Sequence, residues 1–250
     1  MLKTKGEFFK NYLNPLQLEV FMTKGSLKIH SENILPIIKK WLYSDKDIFL
    51  RELVSNATDA LSKLKILRDQ NEVSFKDEDL RIDIILDKNG KTLTIKDTGI
   101  GMSADEVEKY IAQLAFSGAE DFMKKYNTTS EKDQIIGHFG LGFYSAFMVS
   151  STVEINTLSY KEHEKSAFWS CDGSSEYTLE EGTRASRGTE IILHIEAQSE
   201  EFLDEQKIKE MLERYCGFLP FPIYLNDKHI NDNFPLWRHS LNLREMYFCY

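Results

Sequence analysis

One stretch constrains the fold more than any other: Asp47-Ile-Phe-Leu-Arg-Glu-Leu-Val-Ser-Asn-Ala-Thr-Asp-Ala-Leu61. On a helical period, Phe49, Leu53, Ala57, Ala60, Leu61 and Leu64 occupy one face. Glu52, Asn56 and Asp59, at i, i+4 and i+7, share another. The pattern predicts a helix capped by Ser44 or Asp45 and running to about Arg68. Taken alone, such a polar stripe is the solvated side of an amphipathic helix. It is also a face that can meet a ligand. Asn56 carries an amide oxygen of the kind Mg2+ accepts, and the Glu52 carboxylate can orient or deprotonate water.

The rest of the chain alternates helix and strand signals without a regular rhythm. Ile34, Leu35, Ile38, Trp41 and Leu42 predict a helix over 31–43. Strands are expected over 80–86 and 93–95, joined through Lys88-Asn89-Gly90-Lys91, where Asn-Gly is a strong hairpin signal. Ser103 followed by Glu106 reads as a capping box opening a helix to about Leu114. The polar run 127–133 predicts a mobile segment. A helical stretch at 143–149 precedes strands at about 152–158, 166–171 and 189–195, an amphipathic helix at 204–215 and a short strand at 222–225. This order does not fit a doubly wound fold. It predicts an α+β two-layer sandwich: a mixed, mostly antiparallel sheet with helices packed on one face.

The net charge of −9 and the sequence pI near 5.3 argue against a long basic nucleic-acid groove. Cys171, Cys216 and Cys249 form no CxxC pair and no zinc-type cluster, which reads as reduced thiols. No apolar run approaches the roughly 20 residues of a membrane span. Residues 1–21 lack a secretory signal pattern, and Met22 stands as a second candidate start.

Three further segments can carry chemistry. Asp97-Thr-Gly-Ile-Gly-Met102 ends a strand with two glycines that let backbone approach closely, after an acid able to accept a base amino hydrogen. Gly137-His-Phe-Gly-Leu-Gly-Phe143 matches neither the dinucleotide fingerprint nor the P-loop. Its free N–H groups at a helix start would still favour phosphate. Arg187-Gly-Thr-Glu190 enters a strand, where Thr189 can present a hydroxyl to a base or a water. Each of these is also an ordinary turn, and the information lies in their joint order.

That ordered set resembles the GHKL superfamily of ATP-binding domains, which includes gyrase-type topoisomerases, mismatch-repair ATPases, histidine kinases and heat-shock-ninety chaperones. The block from Asp47 to Leu61 is similar to the bacterial chaperone branch, and the likeness runs from about Leu27 to Leu225. A helix Glu is usual in chaperones and absent from most histidine kinases. The resemblance implies that Glu52 activates the hydrolytic water and Asn56 binds Mg2+ and phosphates, with Asp59 on the same nucleotide-facing stripe. Asp97 would hold the adenine amino group with Thr189, Gly101 and Met102 would line the adenine pocket, and Gly140, Gly142 and Phe143 would wrap the phosphates.

The resemblance further implies ATP, ADP and Mg2+ as ligands and a lid over about 103–136. It implies an extension over 1–24, the ATP-binding domain over 25–228 and the start of a linker over 229–250. Unfolded client proteins, a homodimer through a carboxy-terminal domain, a cytoplasmic location, and no nucleic-acid or membrane partner belong to the same expectation. Two positions depart from the family pattern: Tyr110 stands where Asn is usual, and Phe116 where Lys is usual.

Overall fold

The computed structural model describes residues 46–74, 79–111, 142–174 and 176–231. The expected helix at 31–43, the polar run at 127–133, and the glycines from Gly137 to Gly140 lie outside them.

The stretch that opened the sequence reading forms α1, Ile48–Asp69. Its first residue follows Asp47, which sits at the N-cap position without capping through its side chain. The expected caps, Ser44 and Asp45, lie outside the described residues; the N-cap found is Asp47, whose carboxylate pairs with Lys207 at 3.6 Å. The helix stops because Asn71 turns left-handed (φ 61°), so that Glu72 N–H donates to Leu67 O and Asn71 N–H to Arg68 O. Phe49, Leu50, Leu53, Val54, Leu61, Leu64 and Leu67 are buried. Burial of such side chains contributes roughly 1.5–3 kcal/mol each, against the entropy of ordering them.

Among the described residues the strands form one eight-stranded sheet in the order β5-β4-β3-β6-β2-β1-β7-β8. They are β1 Ile82–Asp87, β2 Thr92–Asp97, β3 Ser150–Leu158, β4 Ala167–Cys171, β5 Thr178–Glu181, β6 Gly188–Ile195, β7 Ile223–Leu225 and β8 Lys228–His229. Only the β1–β7 pairing is parallel. Register puts Ile84, Ile95, Ile191, Ile155 and Trp169 in one row across the sheet, and Leu93, Leu193, Val153 and Cys171 in the next. Alternation sends their neighbours Asp83, Lys96, Glu190 and Asn156 to the other side. The sheet thus has one apolar face, on which α1 packs, and one polar face; the α+β sandwich expected from the sequence is the fold found.

Local details differ from the expectations. The β1–β2 hairpin turns through four residues, and the left-handed residue is Lys91 (φ 53°) rather than Asn89 or Gly90. The Asp87 carboxylate accepts from the Asn89 and Gly90 N–H groups at 2.9 and 3.0 Å, which organises a longer turn. Residues Gly142–Met148 wind as a 3-10 helix. Ser145 Oγ donates to the Gly142 carbonyl three residues back, in keeping with the tighter winding.

Helix α2, Ala104–Tyr110, opens with the expected capping box of Ser103 and Glu106. It reaches its C-cap at Ile111, short of Leu114. Helix α3, Glu205–Cys216, is capped by Asp204 and buries Ile208, Met211, Leu212 and Cys216 at helical spacing. Both described cysteines, Cys171 and Cys216, are free thiols.

Candidate functional site

The inner face of β2 runs Leu93, Ile95, Asp97, so alternation itself drives an acid into the core at the strand's end. Asp97 is only 5% exposed. Both protein hydrogen bonds to its carboxylate fall on Oδ1, from Gly99 N–H at 2.8 Å and Thr189 N–H at 3.4 Å. Among the described residues no hydrogen bond falls on Oδ2. Burial pushes the carboxyl up to about 6, and the Gly99 N–H, the Arg184 guanidinium and the Thr189 N–H each pull it partly back.

The glycines after Asp97 answer to the protein before any ligand. A Cβ at Gly99 would lie 2.7 Å from Ala60 of α1. Next to it, Ile100 N–H donates to the Ala60 carbonyl at 3.3 Å. Gly101 has φ +59°, and a Cβ there would lie 1.8 Å from the Leu158 carbonyl oxygen. The turn is thereby wedged between α1 and the end of β3. The sequence reading gave Gly101 to the ligand; its first requirement is this backbone approach.

A hydroxyl network closes the same end of the sheet. Thr157 Oγ1 accepts from Met102 N–H at 2.9 Å, donates to the Gly188 carbonyl at 3.1 Å, and lies 3.0 Å from Thr189 Oγ1. The sequence reading missed Thr157. Its signal was a polar residue where Val153 and Ile155 set an inward apolar alternation. Thr157→Val keeps the shape but strands Met102 N–H, and should cost about 1–3 kcal/mol in chemical denaturation. No change in midpoint would show that the network contributes nothing.

Helix α1 runs from this end toward Gly142. Ile100 and Gly99 meet the helix at Ala60. Eight residues earlier, about 12 Å along the axis, Glu52 holds Arg51 Nη2 at 2.6 Å through Oε1. A Cβ on Gly142 would stand 2.7 Å from Glu52 Oε2, so loop and carboxylate abut. Asn56 lies half-buried between the two ends.

Asp59 is buried one turn before Lys63. Desolvation pushes the Lys63 ammonium down, while Asp59 and then Glu106 pull it up. The Phe143 ring packs edge-on to Trp169 at 5.7 Å and is committed to the core, so any ligand contact there would be through backbone. Gly140 lies outside the described residues.

The mixed, mostly antiparallel sheet with helices on one face is the fold of a GHKL-type ATPase domain. Residues 44–207 match the histidine kinase-, DNA gyrase B- and HSP90-like ATPases, and the chain belongs to that family. Within it the chain is similar to chaperone protein HtpG of Bacteroides fragilis strain YCH46, at 51% identity over 231 residues, covering 86% of this chain and 33% of that protein. HtpG of Porphyromonas gingivalis strain W83 is 48% identical over 229 residues, with the same two shares covered. The mitochondrial TNF receptor-associated protein 1 homolog of Dictyostelium discoideum is 38% identical over 221 residues, covering 88% of this chain and 31% of that protein. The chain spans about a third of the length of the curated relatives it matches.

Proposed function

We propose that this domain binds ATP with Mg2+ and hydrolyses it to ADP and phosphate, as the nucleotide module of a chaperone that assists protein folding. The observation that carries this reading is the axis of α1. It separates the carboxylate of the buried Asp97 from a second carboxylate set against a glycine, Glu52 and Gly142. An adenine amino group suits the first end and a terminal phosphate with its attacking water suits the second.

In this reading Asp97 and Thr189 receive the base, with Gly101 and Met102 beside it. Asn56 and Asp59 face the nucleotide from the helix. Gly140, Gly142 and Phe143 offer backbone N–H groups to phosphate. Glu52 orients the water and takes its proton. Among the described residues no group of three or more His, Cys, Asp or Glu gathers as a metal cage. Asn56 would give Mg2+ an amide oxygen, beside phosphate and water. When bound, the ion neutralises phosphate charge.

Residues 103–136 would act as a lid. Client proteins, a homodimer formed through regions beyond this chain, and a cytoplasmic setting complete the proposal. Among the described residues no helix is long and apolar enough to cross a membrane.

Calorimetric titration of Mg-ADP into the chain tests the reading, with micromolar-range binding as the expected result. No heat from a demonstrably folded chain, at concentrations well above that range, would overturn it.

A further inference from the structure

The segment between β5 and β6, residues 182–187, folds back over the adenine end of the site, and none of the roles above uses it. Arg184 is its centre. The guanidinium Nη2 donates to the Asp97 main-chain carbonyl at 2.8 Å and to the Arg187 carbonyl at 3.4 Å, while Nε donates to the Ser186 carbonyl at 3.0 Å. Gly188 makes room for this reach. With φ +113°, its missing Cβ would stand 2.2 Å from the Asp97 carbonyl oxygen and 2.8 Å from Arg184 Nη2.

The other end of the arginine is equally anchored. Arg184 N–H donates to Ser166 Oγ at 3.1 Å, and Ser166 Oγ lies 3.1 Å from the Thr157 carbonyl and 3.2 Å from Asn156 Oδ1. Asn156 Nδ2 donates in turn to Thr183 Oγ1 at 3.0 Å. The loop is therefore fastened to the same β3 residue, Thr157, whose hydroxyl orders Met102 and Thr189. Arg184 is half-buried, and burial pushes its guanidinium down while Asp97 and Glu190 pull it up.

We infer that Arg184 is a positioning residue for nucleotide recognition: its guanidinium fixes the end of β2 through the Asp97 carbonyl and brings a positive charge to the strand end that carries the Asp97 carboxylate. The inference rests on the adenine role proposed for Asp97. Among the described residues, the charged group that bears on the Asp97 carboxylate is Arg184 itself, and the Gly99 and Thr189 N–H groups are its other polar neighbours. Removing the guanidinium leaves burial less opposed, so the carboxyl takes up its proton at higher pH. A neutral carboxyl that has gained a hydrogen on Oδ2 no longer accepts from an amino group.

The test compares wild type, Arg184→Gln and Arg184→Lys. The Asp97 side-chain carboxyl is titrated by carbon NMR without nucleotide, and Mg-ADP affinity is measured from neutral pH into the acid range. The expected result for Arg184→Gln is a carboxyl midpoint raised by about half to one pH unit. The acid limb of ADP affinity should rise with it, and ADP should bind about three- to tenfold more weakly near neutrality. Arg184→Lys, which keeps the charge without the fork, should restore the midpoint more fully than the affinity.

An unmoved midpoint in folded Arg184→Gln would overturn the inference. So would a moved midpoint that leaves the ADP limb in place. If the glutamine variant does not fold, the lysine variant alone decides: affinity and midpoint identical to wild type would overturn it. Failure of wild type to bind ADP would instead strike the adenine reading, since the carboxyl midpoints would still report on Arg184.

Discussion

Glu52→Gln should lower ATP turnover about 10²–10⁴-fold while leaving Mg-ADP affinity within about threefold. The substitution removes a proton acceptor and keeps the shape of the side chain against Gly142, where Oε2 and the glycine already stand in contact. Arg51 loses an ion pair that is largely open to water, so the cost in stability should be below about 1 kcal/mol. Phosphate release under saturating Mg-ATP, paired with calorimetry, separates the two effects. Turnover that survives the change would remove Glu52 from the water-activating role. Affinity lost together with turnover would mean that the carboxylate binds rather than activates.

Asp97→Asn should weaken Mg-ADP binding by about 2–4 kcal/mol, about 30- to 1,000-fold. The amide oxygen can still accept from the Gly99 and Thr189 N–H groups, which turns the amide nitrogen toward the ligand. Two donors then face each other where an acceptor stood.

The same change should stabilise the ligand-free domain. Burial raises the carboxyl of the folded state to about 6, above its ordinary value. Ionisation therefore opposes folding. The opposition is absent where both states are protonated, grows as pH climbs from about 4 to about 6, and is full above that. Removing the charge should return on the order of 1–3 kcal/mol near neutrality. Wild type should also gain stability and lose ADP affinity as pH falls through about 6. Equal affinity of wild type and variant, by calorimetry, would dismiss Asp97 as the base acceptor. A variant that is less stable than wild type by denaturant titration would dismiss the burial cost.

The sandwich was legible because its central elements obey simple periods. Alternation is clear in most of β2 and β3 and persists in β1 and β6 despite Ile85 and Ile192, and α1 and α3 repeat at helical spacing. What escaped was short or polar. Strand β5 is Thr-Leu-Glu-Glu at an open edge, and β8 is two residues, so neither carries enough pattern to see. Residues 142–148 wind as a 3-10 helix rather than an α-helix, a distinction that apolar spacing over seven residues does not encode.

In the site, Asp97, Glu52 and Thr189 stood out as residue types in a known order. Thr157 and Arg184 did not, because one is a single hydroxyl in an apolar strand and the other lies in a loop that reads as surface. Their importance comes from which carbonyls the fold brings within reach. Gly101 was noticed as a pocket residue, and its glycine identity is also required by the nearby Leu158 carbonyl.

The lone parallel pairing has a mechanical consequence. Strand β7 lies alongside β1, with Ile82 beside Ile223 and Ile82 N–H bonded to the Pro222 carbonyl at 3.0 Å. On its other side Ile82 faces Asp97 in the β1–β2 ladder. Just beyond β8, Asn231 pins the chain by donating to the Phe221 and Leu219 carbonyls and accepting from Ile223 N–H. Tension applied at Asn231 would thus load β7, the strand that flanks Ile82 on the side opposite Asp97.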